Sequence, residues 1–171
     1  MSANAPTLSI PVGVIVERTK GMNQWTDFVW RPAGVLPGAP ATPAWTKLGG
    51  DELRAQFFAG ISTVELYRTE AANYRDNLAT GDPQLWIVLR PSGGEPPYDL
   101  HLVTADPAEG EAMTEAGNDV VHPVGMPVSV RAAVEAFVNE HPSERTYIKR
   151  KRERADPEAL ARKAPSRGVR E

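Results

Sequence analysis

Residues 85–104 read LWIVLRPSGGEPPYDLHLVT, two apolar runs on either side of a loop rich in Gly and Pro. The first run, 85–89, is short and continuously apolar, as in a strand covered on both faces. The second, 99–104, alternates Leu100 and Leu102 against His101 and Val103, as in a strand with one face on a core. Pro91 and Pro97 bar a helix between them, and Ser92-Gly93-Gly94 supplies turn residues. The stretch reads as an antiparallel hairpin. A hairpin argues for a mainly antiparallel sheet rather than a parallel one built of βα units.

Helix signals follow downstream. Asp106-Pro107-Ala108-Glu109 sets an N-cap carboxylate, a proline at the first helical position and an acid at N3, with Gly117 as a stop. Pro127 opens another helix, in which Val130, Val134, Phe137, Val138 and His141 fall on one stripe before Pro142 ends it. A third, shorter helix is predicted over 70–78. Upstream, 9–17 (SIPVGVIVE) is rich in β-branched residues, and Pro11 and Gly13 place it near an edge or at a bulge. Residues 25–36 begin as a strand and turn irregular, 63–67 alternate with Val64 and Leu66 on one side, and 119–121 make a last small strand. The fold class is α+β, a mainly antiparallel sheet with two or three helices and a basic C-terminal extension.

Composition divides the chain at His141-Pro142. Leu, Ile, Val and Phe supply 33 of residues 8–140 but 3 of residues 143–171. Residues 1–142 carry 9 basic and 17 acidic side chains, whereas 143–171 carry 10 and 5. The predicted organisation is a disordered N-terminus over 1–7, a single α+β domain over 8–142, and a basic, partly helical or disordered tail over 143–171. The absence of Cys excludes disulfides, thiol catalysis and Cys-ligated metals. No apolar run approaches the ~18 residues of a membrane span, and no basic-then-apolar leader opens the chain. A cytoplasmic location, away from the membrane, is expected.

Catalytic chemistry finds little support. His101 falls on the strand face opposite Leu100 and Leu102, His122 in an extended connection before Pro123, and His141 in the last turn of a helix, where an imidazolium complements the dipole. No GxSxG, HExxH or Walker lysine occurs. The expectation is a non-catalytic protein with no cofactor and no metal. Two surfaces carry functional side-chain types. Around the predicted helix at 70–78, Arg68, Glu70, Tyr74, Arg75 and Asn77 combine a planar ring, an amide and guanidinium groups, a chemistry suited to a protein partner. The competing reading has Tyr74 and Leu78 packing down while Arg68 and Arg75 are solvated. All four Trp read as core, although Trp25 and Trp45 flank irregular segments and are candidates for exposed anchors. In the tail, Arg145, Lys149, Arg150, Lys151, Arg152 and Arg154 put six cations within ten residues. A solvated tail, docking on an acidic surface, and nucleic-acid or other polyanion binding are its three readings.

Several strings, in order, resemble a known family: IPVGVIVER (10–18), W-x4-W-R-P-A-G-V-L-P-G (25–38), ELYRTEAANYRDNL (65–78), LWIVLR (85–90), HLVTADPAE (101–109), VHPVGMP (121–127) and YIKRKRERADPEA (147–159). The resemblance is to a proteobacterial domain family of unknown function whose members are often encoded beside molybdenum-dependent formate dehydrogenase genes. It spans about residues 9–160. What it implies is an accessory or binding role in the assembly, maturation or regulation of such an enzyme, with a formate dehydrogenase subunit as partner. It implies no activity and carries over no site residues. The alternative is a nucleic-acid binder using the basic tail.

The stripe opened by Pro127 yields a direct test. Phe137→Ala should cost roughly 3–5 kcal/mol in urea denaturation, as a cavity left in a core. A loss below about 1 kcal/mol, the scale of a surface change, would place the stripe in solvent.

Overall fold

The structure, a computed structural model, describes residues 5–142 apart from residues 24 and 26. Its order is β1 (Leu8–Lys20), β2 (Phe28–Pro37), β3 (Thr46–Gly50), β4 (Arg54–Leu66), a 3₁₀ turn (Arg68–Glu70), α1 (Ala71–Ala79), β5 (Gln84–Pro91), β6 (Tyr98–Thr104), α2 (Pro107–Glu115), β7 (Val120–Gly125) and α3 (Val128–Glu140). The larger sheet runs β2-β1-β4-β3 and the smaller β6-β5-β7, with every pairing antiparallel. The α+β class is as the sequence predicts. Strand β2 lies against β7 and β4 against β6, so the two sheets approach along both sides. Between them Val12, Val14, Val16, Val64, Leu66, Leu85, Ile87 and Leu89 join Val130, Val134 and Phe137 of α3 in one core. Among the described residues no helix is long and apolar enough to cross a membrane.

The hairpin of 85–104 is present as β5 and β6, antiparallel through the Gly/Pro loop. β5 is the central strand of its sheet and is covered on both faces: Leu85, Ile87 and Leu89 enter the common core. On the other face α2 lies close enough that a Cβ at Gly110 would stand 2.4 Å from Trp86 Cγ. The inward face of β6 differs from the alternation read in the sequence. Val88 pairs with Leu102 and Leu89 with Leu100, so His101 is an extra residue in β6. A one-residue insertion reverses which side chains face inward, because the period of a strand is two. Tyr98 and Leu100 pack inward before the bulge and Val103 after it, while Leu102 stays outside that core.

Strand β1 is central, not at an edge, and its irregularities are those that Pro11 and Gly13 foretell. Pairing with β2 starts only at Val12, so at Pro11 the strand has β4 alone as a neighbour. The register against β4 slips between Val14 and Ile15, and against β2 between Ile15 and Val16. Gly13 makes room for a ring, since a Cβ there would stand 2.7 Å from Phe58. His122 and Pro123, read as a connection, lie within β7. Strand β3 and the first half of β4, hidden in a Gly- and Thr-containing stretch of weak alternation, were not foreseen.

Both helix starts hold. The Asp106 carboxylate accepts from the Ala108 N–H at 2.9 Å, as an N-cap should. Glu109, however, does not close a capping box. Its carboxylate accepts the Thr104 hydroxyl at 2.6 Å, and Thr104 in turn accepts the Asp106 N–H at 3.1 Å. In α3, Val130, Val134, Phe137 and Val138 are buried, and the His141 ring lies 4.5 Å from that of Phe137.

A helical Gly→Ala change ordinarily stabilises by up to about 1 kcal/mol. At Gly110 the sign should reverse, because the new methyl meets the Trp86 ring, and overpacking of this kind costs about 1–3 kcal/mol. Chemical denaturation of Gly110→Ala should show the loss; a gain would mean that α2 can lift from the sheet freely.

Candidate functional site: the Trp25 end

Two of the polar residues around α1 turn inward. Tyr74 and Asn77 are buried, at 1% and 3% exposure, and neither can face a partner. Asn77 is consumed by the fold. Its Nδ2 donates to the carbonyls of Gln84 at 2.8 Å and Ala105 at 3.0 Å, and its Oδ1 accepts the Gln84 N–H at 3.0 Å. The Tyr74 hydroxyl accepts the Tyr67 N–H at 3.0 Å, and burial pushes its phenol up to about 12. The helical periodicity that brought these residues onto one face was sound, but it is the face that packs. Glu70 accepts from Asn73 at 3.0 Å, Arg68 is exposed, and Arg75 borders a shallow hollow between α1 and α3. The proposed partner face therefore loses its centre.

A second hollow, about 310 Å³, is lined by Tyr67, Thr69, Glu70, Tyr74, Asp106 and Glu109. Its carboxylates are engaged internally. Asn73 bridges Glu70 and Asp106 (3.2 Å to the latter), and Glu109 holds Thr104. Tyr67 donates to Glu65 at 2.6 Å, which raises its phenol above the ordinary value. Among the described residues no three of His, Asp and Glu could hold a metal ion. His101 is exposed, as read from the strand. His122 is half-buried, and burial, with Arg31 nearby, holds its imidazole below the ordinary value. The basic residues Arg145, Lys149, Arg150, Lys151, Arg152 and Arg154 lie outside the described residues.

The opposite end of the larger sheet is built differently. The β1–β2 turn spans residues 21–27, closed by the Gly21 N–H on the Asp27 carbonyl at 3.3 Å. The β3–β4 turn lies beside it, with Lys20 N–H donating to the Leu53 carbonyl at 2.8 Å. Asp51 holds that turn, accepting from the N–H groups of Leu53 at 2.8 Å and Arg54 at 3.0 Å. The Arg54 bond, then that of Leu53, keeps its carboxyl below the usual range. These polar anchors hold apolar side chains out in water. Met22 is fully exposed, Trp25 is 86% exposed, Leu53 64% and Phe28 39%.

Beside Trp25 a cleft of about 460 Å³ opens between the sheets. Trp25, Asp27, Phe28 and Trp30 make one wall; Glu95, Pro97 and Tyr98 of the β5–β6 loop make the other. Trp30 is wedged edge-on against Trp45, with centroids 5.9 Å apart, and tilted on Phe57 at 5.4 Å. Arg18 runs under these rings. Its guanidinium carbon stands 4.2 Å from the centroid of Phe28, 5.2 Å from Phe57 and 5.7 Å from Trp30. Its buried Nε has no hydrogen-bond partner among the described residues, so ring faces hold the group.

The sequence offers Trp25 and Trp45 as candidate anchors; Trp25 is exposed as such, whereas Trp45 packs against the core. The available signal was GMNQWTD at 21–27, a Met and a Trp in a string of turn formers. Nothing local joins it to Glu95 or Leu53, which the sheet topology brings near. Trp30 is core, and Trp45 and Trp86 are partly buried.

A family model described as a protein of unknown function (DUF3305) matches residues 11–152. The chain belongs to that family. The match covers all seven strands from Pro11 onward, the three helices, and the basic segment as far as Arg152. No curated protein and no solved structure matches the chain.

The burial pattern separates structural from surface residues in α1 and the turn before it. Asn77→Ala should cost about 3 kcal/mol or more, since it strands buried backbone groups at Gln84 and Ala105, each worth about 1–3 kcal/mol. Arg68→Ala should stay within about 0.5 kcal/mol. Thermal and urea melts of the two variants check the contrast; equal effects would contradict it.

Proposed function

We propose that this protein is a non-catalytic accessory domain that binds a protein partner through the Trp25 end of its larger sheet. The observation that carries the reading is the exposure of Trp25 among Met22, Phe28 and Leu53, on turns that backbone hydrogen bonds hold in place. Large apolar side chains exposed on neighbouring turns mark interaction sites, and Trp and Met are enriched at interface centres. A Trp side chain has only two rotatable torsions, so it loses little conformational freedom on binding, which favours its use as an anchor. The acid-lined hollow near Tyr74 supports a non-catalytic role, because its carboxylates are engaged in internal bonds and its buried phenol keeps its proton.

The partner proposed first is a subunit of a molybdenum-dependent formate dehydrogenase, on the resemblance described above, with a role in that enzyme's assembly, maturation or regulation. A cytoplasmic site of action belongs to the same reading. The test is affinity capture by the full-length protein, with mass spectrometry of what is retained. A formate dehydrogenase subunit should be captured at about 150 mM salt, where exposed charge attractions reach only about 8 Å. Nuclease treatment should leave the capture intact. Trp25→Ala combined with Leu53→Ser should abolish it, and Arg68→Ala should not. Capture that disappears with nuclease and depends on Arg145, Lys149, Arg150, Lys151, Arg152 and Arg154 would replace this reading with polyanion binding.

A further inference from the structure

We infer that the cleft beside Trp25 receives an arginine side chain of the partner. The inference rests on the Trp25 end being a docking surface and names the chemistry it recognises. Three observations converge on a planar cation.

The first is the wall. Trp25, Phe28, Trp30 and Tyr98 line one cleft, and the face of an aromatic ring attracts a cation through its quadrupole. The second is charge. Asp27 and Glu95 stand in opposite walls, and among the described residues neither carboxylate has an ion-pair partner. Glu17 and Asp119, by contrast, are paired with Arg54 and Arg90. Asp27 and Glu95 thus bring two negative charges to the cleft, against the positive charge of Arg18 behind its aromatic wall. The third is precedent within the molecule. Arg18 already lies against Phe28, Trp30 and Phe57, and its unpartnered Nε shows that these rings hold a guanidinium without a hydrogen bond to that nitrogen.

Between cations, the geometry favours arginine. A guanidinium is flat, so it can lie on a ring while its edge N–H groups reach carboxylates to either side. An ammonium uses the same rings, but its three N–H groups fan out from one atom and cannot lie flat on a ring while reaching carboxylates at its edges. A trimethylated ammonium has no N–H group at all. The cleft is open to solvent and lies beside the exposed Trp25, which suits a side chain projecting from a docked segment rather than a free small molecule.

The test titrates full-length protein with a short peptide of glycines around one arginine, blocked at both ends. Indole N–H signals of the four Trp are followed by ¹H–¹⁵N spectroscopy, and Trp25→Phe assigns the Trp25 signal. The arginine peptide should move the Trp25 and Trp30 signals. Its citrulline analogue, the same shape without charge, should move neither. The lysine and trimethyl-lysine analogues should bind more weakly than arginine. Glu95→Gln, at an exposed loop position, should weaken the arginine peptide roughly tenfold, the change that about 1.4 kcal/mol produces. Equal or tighter binding of trimethyl-lysine would make the cleft a methylammonium cage and overturn the assignment. So would silence with every peptide. Partner capture that needs Trp25 and Leu53 but ignores Glu95→Gln would refute the arginine assignment and leave the docking surface standing. Capture indifferent to Trp25 would refute the docking surface, whatever the peptides do.

Discussion

A single buried amide ties the helical layer to the smaller sheet. Asn77, on α1, bonds both backbone groups of Gln84 at the start of β5 and the carbonyl of Ala105 just after β6. Ala105 adjoins Asp106, the N-cap of α2, so one side chain sets the positions of α1, the β5–β6 hairpin and the start of α2. An asparagine in this place is demanding: buried polar groups are costly unless paired, and here three bonds satisfy donor and acceptor alike. Tyr74 continues the link. Its hydroxyl takes the Tyr67 N–H at the end of β4, and its ring meets Phe137 edge-on at 5.9 Å, which brings in α3. Tyr74 and Asn77 are therefore part of the frame, and their side chains are buried away from a partner.

What that frame leaves open lies far away. β1 runs from Leu8, paired with Leu66 near α1, to Lys20, paired with Phe28 beside the Trp25 turn. Twelve strand steps at about 3.3 Å separate the two ends by roughly 40 Å. At one end helices close the sheets with buried hydrogen bonds. At the other, two turns pinned by Asp51 and by backbone bonds hold Trp25, Met22 and Leu53 in water, and Arg18 stiffens the aromatic wall from behind. Recognition residues on loops carried by a rigid sheet are a common arrangement, because the sheet fixes the loops without occupying their side chains.

The features legible in the sequence are those set by near neighbours. Period and turn chemistry exposed the hairpin, Asp106-Pro107 and Pro127 marked two helices, and the Val134–Phe137 stripe lies in the core as its spacing requires. The features that were not legible depend on partners distant in the chain. The bulge at His101 is decided by how β6 pairs with β5, and a strict alternation cannot show it. Pro11 argued for an edge, but the neighbour that would miss its N–H starts one residue later. Tyr74 and Asn77 have side chains equally suited to a surface or to a buried network, and only the Tyr67 N–H, for the one, and the carbonyls of Gln84 and Ala105, for the other, settle which. The cleft joins the β1–β2 turn to the β5–β6 loop, so no local string could announce it.

The division between a closed helical end and an open Trp25 end can be read most directly by amide hydrogen exchange on the full-length protein, alone and in complex with the captured partner. Slower exchange on binding over residues 20–28, 51–54 and 92–98, with α1 unchanged, is the expected result. Protection confined to α1, with the Trp25 turn exchanging as in the free protein, would contradict it.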